Sequence, residues 1–339
     1  MKSSKDQYYI SSAFTGTNWQ HMSRTVLLTV VLLFIPLHAI SGEMATIRLA
    51  YGKKIQYAPQ IIAVEQNFFK AEGLHIQPLI LSTGPQAAEA LITGAADAAA
   101  MGDAPAVFAA ASGRPLKIIA AYGTSEDMHR IVASANSGIH SPSDLKGKRV
   151  AIQFGTSTYG AFLLFCQKHA IEKDDIGLIN LSPTDMPIAM QSGQIDAAVG
   201  SEPWPSNIEE KVVGSYPVIS LSGLGNEYPH VMVVSEKLSI QNPEAVVAMM
   251  RALQQAIDMI NLQPHQAAEI VAGVTGVPAH REMKSLQTIH WKLRLDEAIR
   301  NSLMQTADMF KQQNKLPLSA DIKRALDGIF LKNIQSTTP

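Results

Sequence analysis

The stretch Gln153-Phe154-Gly155-Thr156-Ser157-Thr158-Tyr159-Gly160 carries the most suggestive chemistry in this chain. It follows a short apolar run, Val150-Ala151-Ile152, and opens a second one, Ala161-Phe162-Leu163-Leu164-Phe165, that reads as a helix. A strand feeding a glycine- and hydroxyl-rich turn at a helix start leaves backbone N–H groups without intrahelical partners. Those groups and the helix dipole make a site for an anionic or polar ligand. The same residues have an ordinary use, because Thr156 or Ser157 serves equally well as a helix N-cap. Two more turns share the design. Ser82-Thr83-Gly84-Pro85 follows the strand expected at 76–81, and Gly102-Asp103-Ala104-Pro105 follows the strand expected at 96–101. Pro85 and Pro105 both stand where a helix begins, and Asp103 reads first as an N-cap. In open α/β sheets such turns collect at the carboxyl ends of strands, where ligands bind.

Catalytic patterns are missing from the sequence. There is no HExxH, no G-x-S-x-G and no P-loop, and the serine of the Gly155 turn lacks nucleophile-elbow spacing. The ten histidines are scattered, with His129, His230, His280 and His290 at no metal-ligand spacing. A single cysteine, Cys166, rules out an intramolecular disulfide and reads as a buried structural thiol. A net charge of −1 with no arginine-rich run gives no reason to expect nucleic acid as a partner. No cofactor is expected.

The positions of these turns follow from the organisation of the chain. Residues 1–41 read as a signal peptide: Arg24 precedes an apolar run from Thr25 to Ile35, Pro36 breaks it, and Ala39-Ile40-Ser41 supplies small residues at cleavage spacing. Eleven residues are too few to span a bilayer. Met22 is an alternative start, and an uncleaved anchor is the alternative fate of the segment. No cysteine follows the run, so export to a periplasm is expected without lipid attachment at that point. From Thr46 short apolar strands alternate with helices, the pattern of an α/β protein with mostly parallel sheets. Beyond Ser235 the character becomes helical, with starts expected near Pro243, Pro264, Ala279, Leu303 and Ser319.

Four blocks carry a family resemblance: Asn67-Phe68-Phe69-Lys70-Ala71-Glu72-Gly73-Leu74, Leu91-Ile92-Thr93-Gly94-Ala95-Ala96-Asp97-Ala98, the run from Pro142 to Ala151 (PSDLKGKRVA), and Ser192-Gly193-Gln194-Ile195-Asp196-Ala197. Each is weak alone, yet in this order over about residues 46–330 the chain resembles the substrate-binding proteins of ATP-driven importers for aliphatic sulfonates, taurine, nitrate and bicarbonate. The resemblance implies a two-lobed periplasmic-binding-protein fold of the second type, with a sheet and flanking helices in each lobe. Lobe I takes 46–131 and 232–330, lobe II takes 132–231, and the ligand lies in the cleft between them.

Carried over residue by residue, the resemblance places Gln56, Tyr57, Ser82, Thr83, Gly84, Gly102, Asp103 and Ala104 on one wall. Gly155, Thr156, Ser157, Thr158 and Tyr159 face them, with Glu202, Pro203 and Trp204 alongside. Hydroxyls and amides there suit a sulfonate-like oxyanion. Glu202 instead would favour an amine-bearing guest, so the sign of the ligand's charge stays open at this level. Tyr57 and Trp204 offer either stacking surfaces or packing. The resemblance further implies a monomer that passes a small solute to a membrane permease and its ATPase. The alternatives are a pyrimidine or thiamine-precursor binder, a pyrimidine-synthesising enzyme of the same fold that uses pyridoxal phosphate, and a sensor without a transport role.

Overall fold

A computed structural model describes residues 44–335, so the expected signal segment 1–41 and residues 336–339 lie outside the described residues. Eleven strands form two sheets. In chain order they are β1 (Ala45–Tyr51), β2 (Leu74–Ile80), β3 (Ala98–Gly102), β4 (Leu116–Thr124), β5 (His129–Ala133), β6 (Arg149–Ile152), β7 (Gly177–Asn180), β8 (Ala197–Ser201), β9 (Tyr216–Ser220), β10 (His230–Ser235) and β11 (His290–Arg294). The six-stranded sheet runs β11-β4-β10-β3-β1-β2 and the five-stranded sheet runs β7-β6-β8-β5-β9.

Both sheets are mixed. β1 lies parallel to β2 and β3, and β6 lies parallel to β7 and β8, as strands joined through helices must. β10 enters antiparallel between β3 and β4 because the chain returns to the first sheet only after building the second. β5 is likewise antiparallel to β8 and β9. The chain crosses between the sheets at residues 125–128 and 221–229, and the two crossings are tied to each other by Ser125 N–H donating to the Glu227 carbonyl at 3.1 Å and Gly223 N–H donating to the Glu126 carboxylate at 3.0 Å.

Alternation along the strands divides the core. Ala99 and Met101 of β3 join a cluster that continues through Ile131, Val150 and Phe162 to Phe310, so it reaches both sheets. Ala98 and Ala100 face the other way, against the long helix Pro243–Leu262. Every residue of β3 is fully buried and four of the five are alanine or glycine, which lets helices and loops approach this central strand closely. Among the described residues no helix is long and apolar enough to cross a membrane.

Two strands escape the sequence pattern. β9 is short and half-buried, and β11 lies in the region expected to be helical throughout, although His290-Trp291-Lys292-Leu293 alternates exposed and buried as an edge strand does. The helix expected near Leu303 begins at Glu297, capped by Asp296, whose carboxylate accepts from Ile299 N–H. No helix starts at Ser319; a single turn at Lys323–Ala325 precedes a helix at Ile329–Gln335.

One junction occurs twice. Arg48 in β1 donates its backbone N–H and Nε–H to Asp97 Oδ2 and an Nη2–H to Oδ1, at 2.7–3.0 Å. Arg149 in β6 makes the same three bonds to Asp196, at 2.7–3.1 Å. Each aspartate sits just before the parallel neighbour strand, so each pair pins a βαβ unit shut. Burial raises the Asp97 carboxyl, but the Arg48 bonds outweigh it and hold the carboxyl below its ordinary value; the Arg149 bonds lower that of Asp196 in the same sense. Folded-state values below the unfolded ones mean that this stability is present above about pH 4 and lost as pH falls further. The pairs are half-exposed. Asp97→Asn and Asp196→Asn are each expected to cost about 1 kcal/mol at pH 7, and to add in the double variant. Urea titration at pH 7 and pH 3.5 checks this, since the deficit must shrink in acid.

Candidate functional site

The helix Ser157–Lys168 begins where β6 ends, and Thr156 is its N-cap. The Thr156 hydroxyl accepts from Tyr159 N–H at 3.3 Å and donates to the Gln153 carbonyl at 2.7 Å. Gly155 takes the left-handed φ of +74° that this turn needs. Capping leaves the amides of Ser157 and Thr158, in the first helical turn, aimed outward without intrahelical acceptors. On the six-stranded sheet the matching start is Gly84–Ile92, where Thr83 and Gln86 form a capping box.

These two helix starts face each other across a narrow cleft that both line. The approach is close: a Cβ built on Gly102 would fall 2.2 Å from Ser157 Oγ. Gln56 Nε2–H donates to the Glu202 carbonyl, and the Lys54 ammonium stands 5.8 Å from the centre of the Trp204 ring.

Of the residues expected from sequence, Gln56, Tyr57, Thr83, Gly84, Gly102, Thr156, Ser157, Thr158 and Trp204 line this cleft. Ser82 lines an adjoining chamber instead. Gly155 shapes the turn without reaching the wall, and the Tyr159 ring packs on Phe154, 4.7 Å between centres. Ala104 is fully buried in the core. Asp103 is neither an N-cap nor a wall residue: it is the first residue of its helix, 2% exposed, and accepts from Thr306 Oγ1 at 2.6 Å. Burial raises its carboxyl above the ordinary value, against the opposing pull of the Ser157 and Thr306 hydroxyls. The Ser157 hydroxyl lies near that carboxylate but falls short of hydrogen-bond geometry, which leaves Ser157 Oγ and Asp103 Oδ1 unpartnered.

Glu202 departs furthest from its expected role. Its carboxylate accepts from Arg130 Nε–H at 2.7 Å, and the same guanidinium reaches Glu209 at 2.7 Å and Ser206 at 3.2 Å. A paired carboxylate does not select an amine. Glu202 is not a wall residue and touches the wall only where its backbone carbonyl accepts from Gln56, and no aspartate or glutamate side chain lines the cleft among the described residues.

Among the wall residues that were not expected, three are titratable. Lys54 is two residues before Gln56, and burial lowers its ammonium below the ordinary value. His129 and His230 begin β5 and β10, one on each crossing, and both are buried. Burial and then His230 push His129 down to about 3; burial and then Lys54 push His230 down to about 4. Both are neutral imidazoles at pH 7. His129 Nδ1 is 3.1 Å from Thr158 Oγ1, and its ring meets Tyr228 edge-on at 4.9 Å. The pattern available in sequence was a histidine one or two residues before each apolar run, 131–133 and 231–234.

The wall therefore carries an unusual set of unsatisfied buried atoms: Ser157 Oγ, Trp204 Nε1, Gln56 Oε1, His129 Nε2 and His230 Nδ1. Native structures leave few buried polar groups unpaired, and a cluster of them needs a reason. Trp204 can only donate, as can the Lys54 ammonium and the two amides, and Ser157 donates readily. Gln56 Oε1 is the fixed acceptor of the set and the imidazole nitrogens can take either role, so the donors are those of Trp204, Lys54, Ser157 and the two amides, in a cleft whose described lining holds no anionic side chain.

The comparisons with known proteins agree with this geometry. The model of the NMT1-like family matches residues 41–275, and the chain belongs to that family. A candidate binding protein of Brucella abortus is 30% identical over 312 residues, 87% of this chain and 94% of that one. The taurine-binding periplasmic protein of Escherichia coli is 23% identical, over 84% of this chain and 91% of its own. Among solved structures, the alkanesulfonate-binding protein SsuA from Xanthomonas axonopodis pv. citri, bound to MOPS, superposes with a TM-score of 0.75 at 25% identity, covering 84% of this chain and 99% of that one. The fold, two mixed sheets flanked by helices, is that of periplasmic binding proteins. Desulfurization enzyme DSZB shares it at a TM-score of 0.69 and 17% identity, covering 86% of this chain and 99% of that one, a likeness of fold alone.

The two histidines set the acid limit of stability. The unfolded chain takes up a proton on each imidazole near pH 6.5, whereas the folded chain does so only near 3 to 4. The unfolded state binds more protons in between, so stability falls as pH drops from 6.5 toward 4.5. Each histidine contributes a slope of up to about 1.4 kcal/mol per pH unit. His230→Gln is expected to flatten the denaturation midpoint against pH over that window, which urea titrations at half-unit steps would reveal.

Proposed function

We propose that this chain is the extracytoplasmic solute-binding component of an ABC importer, and that it captures a small organic oxyanion of the sulfonate kind. One observation carries the reading: donors from both walls converge on a cleft that no carboxylate enters. A sulfonate is an acceptor-only group that stays anionic at every physiological pH. It would take the amides of Ser157 and Thr158, the Ser157 hydroxyl and the Trp204 indole N–H, with Lys54 as counter-charge. Satisfying a buried donor with a charged acceptor contributes about 1.5–3 kcal/mol, and the water-poor cleft strengthens the Lys54 attraction.

Delivery follows from two-lobed architecture. The lobes expected from sequence, 46–131 with 232–330 and 132–231, are taken here to be hinged at the two crossings, 125–128 and 221–229, so that β5 goes whole with the second lobe and β10 whole with the first. A solute touching both walls favours the closed arrangement through its differential affinity for it. The closed protein, working as a monomer in the periplasm after export, presents that solute to a membrane permease coupled to an ATPase. The relatives' names, taurine-binding and alkanesulfonate-binding, support this class of ligand.

Purified protein beginning near residue 42 is expected to gain several degrees of melting temperature with millimolar ethanesulfonate or taurine, because ligand binds the native state alone. Nitrate, bicarbonate, pyrimidines and simple amines are the contrasting panel. A panel in which amines shift the melting point and sulfonates do not would overturn the reading. Ser157→Ala should weaken ethanesulfonate by tenfold or more, the equivalent of one hydrogen bond to a charged group. The ligand-free melting point should fall only slightly, since what the lost hydroxyl gives up is its pull on the nearby Asp103 carboxyl, outside hydrogen-bond geometry. Calorimetric titration beside a melting curve tests both halves of that expectation.

A further inference from the structure

The cleft does not end at Trp204. A second, roomier chamber adjoins it and shares Lys54, Thr83, Gln153, Pro183 and Trp204 as the partition. Its floor is apolar: Leu81, Pro183, the Trp204 ring, and Ile80, a large hydrophobic residue left 39% exposed at the end of β2. Its rim is not. Ser82, Ser182 and Thr184 bring hydroxyls, and the one charged side chain found on this chamber alone is Lys53. Among the described residues no carboxylate lines either chamber, and neither Lys53 nor Lys54 takes part in an ion pair. The adjacent lysines thus place one cation at the inner site and a second at the mouth, with aromatic and aliphatic surface between.

A guest with a single polar end would use half of this arrangement. An anionic head among the inner donors would direct its organic body past Trp204 and Pro183, over the apolar floor. The far end of that body would then come under Lys53 and the three hydroxyls. A positively charged end is disfavoured there, since Lys53 has no acid beside it to neutralise its field. An end group that accepts hydrogen bonds and carries negative charge is complementary to both.

We propose that the solute is doubly ended, an ω-sulfocarboxylate or similar organic dianion, with its sulfonate in the inner chamber, a short methylene segment over Trp204 and Pro183, and its carboxylate in the outer chamber near Lys53. This rests on the sulfonate reading of the inner site. It goes beyond it by assigning the outer chamber a recognition role and by ranking the ligands that share a sulfonate. Lys53 is the residue that sets the ranking.

The experiment is a calorimetric titration of one protein preparation with ethanesulfonate, butanesulfonate, taurine, sulfoacetate, 3-sulfopropionate and 4-sulfobutyrate. The series of spacers finds the length that reaches from one chamber to the other. At that length the sulfocarboxylate is expected to bind about threefold to fivefold tighter than the alkanesulfonate of equal size, the scale of one solvent-exposed charge pair. Taurine should fall below ethanesulfonate by a similar factor. Raising the salt concentration should narrow both gaps, because a charge at the mouth is screened. Lys53→Glu should reverse the order, bringing taurine above the sulfocarboxylates, and should leave ethanesulfonate within a factor of two. Lys53→Ala, which is as exposed and as foldable, should level the series.

Alkanesulfonates that equal or exceed every sulfocarboxylate overturn the proposal, as does a ranking that Lys53→Glu leaves unchanged. Binding of ethanesulfonate in either case keeps the inner-site reading intact. Failure of all six compounds to bind removes that reading first, and this one with it.

Discussion

The chain passes between its sheets twice, and nearly everything about the cleft depends on that constraint. β5 and β10 leave the two crossings as antiparallel insertions, which is why both sheets are mixed. Each crossing delivers a buried histidine to the cleft floor at its first strand residue. The second crossing is secured from behind: Asn226 donates to the Ser302 carbonyl and to Thr306 Oγ1, both at 3.1 Å, and Thr306 donates onward to Asp103. The chain of bonds is complete through Asp103 Oδ2, while Asp103 Oδ1 is left without a partner. These bonds hold the helix Glu297–Gln312, a crossing and the Gly102 turn in one register. Asp103 therefore matters to the site by fixing the loop beside it.

With the loops fixed, the electrostatics of the cleft follow from which charges are consumed elsewhere. Arg130 takes Glu202 and Glu209 together, so both carboxylates are spent on the second sheet's own packing. Lys54 has no such partner, and burial disfavours its charge. A cation kept in a poorly hydrated place, beside neutral imidazoles and unaccepted N–H groups, is stabilised most by an anion arriving from solution. The ligand preference is thus a consequence of local pairing and does not require a net positive protein, in keeping with the overall charge of −1.

Local chemistry made the walls legible in sequence. Thr83, Gly84, Thr156, Ser157 and Thr158 stand at glycine- and proline-marked helix starts, whose geometry is set by neighbours two or three residues away. The rest was hidden because it depends on distant partners. Glu202 meets Arg130 across 72 positions and Asp103 meets Thr306 across 203, so neither carboxylate's role could be read from its own surroundings. The histidines were invisible for a different reason. They form no metal spacing, and their place at the crossings is defined only once the sheet order is known. β11 was obscured by the helices on either side, even though its alternation is regular.

The doubled arginine–aspartate junction has a mechanical consequence. Each sheet carries its own rivet between an early strand and the start of a parallel neighbour, with the same three bonds in the same order. Neither rivet spans the gap between sheets. Stiffness is therefore supplied separately to each half, while the crossings are tied to each other by two bonds, Ser125 to Glu227 and Gly223 to Glu126. Closure of the kind proposed above would carry each sheet as a plate with its own rivet unbroken and would take up the rotation at the crossings, as at an axle.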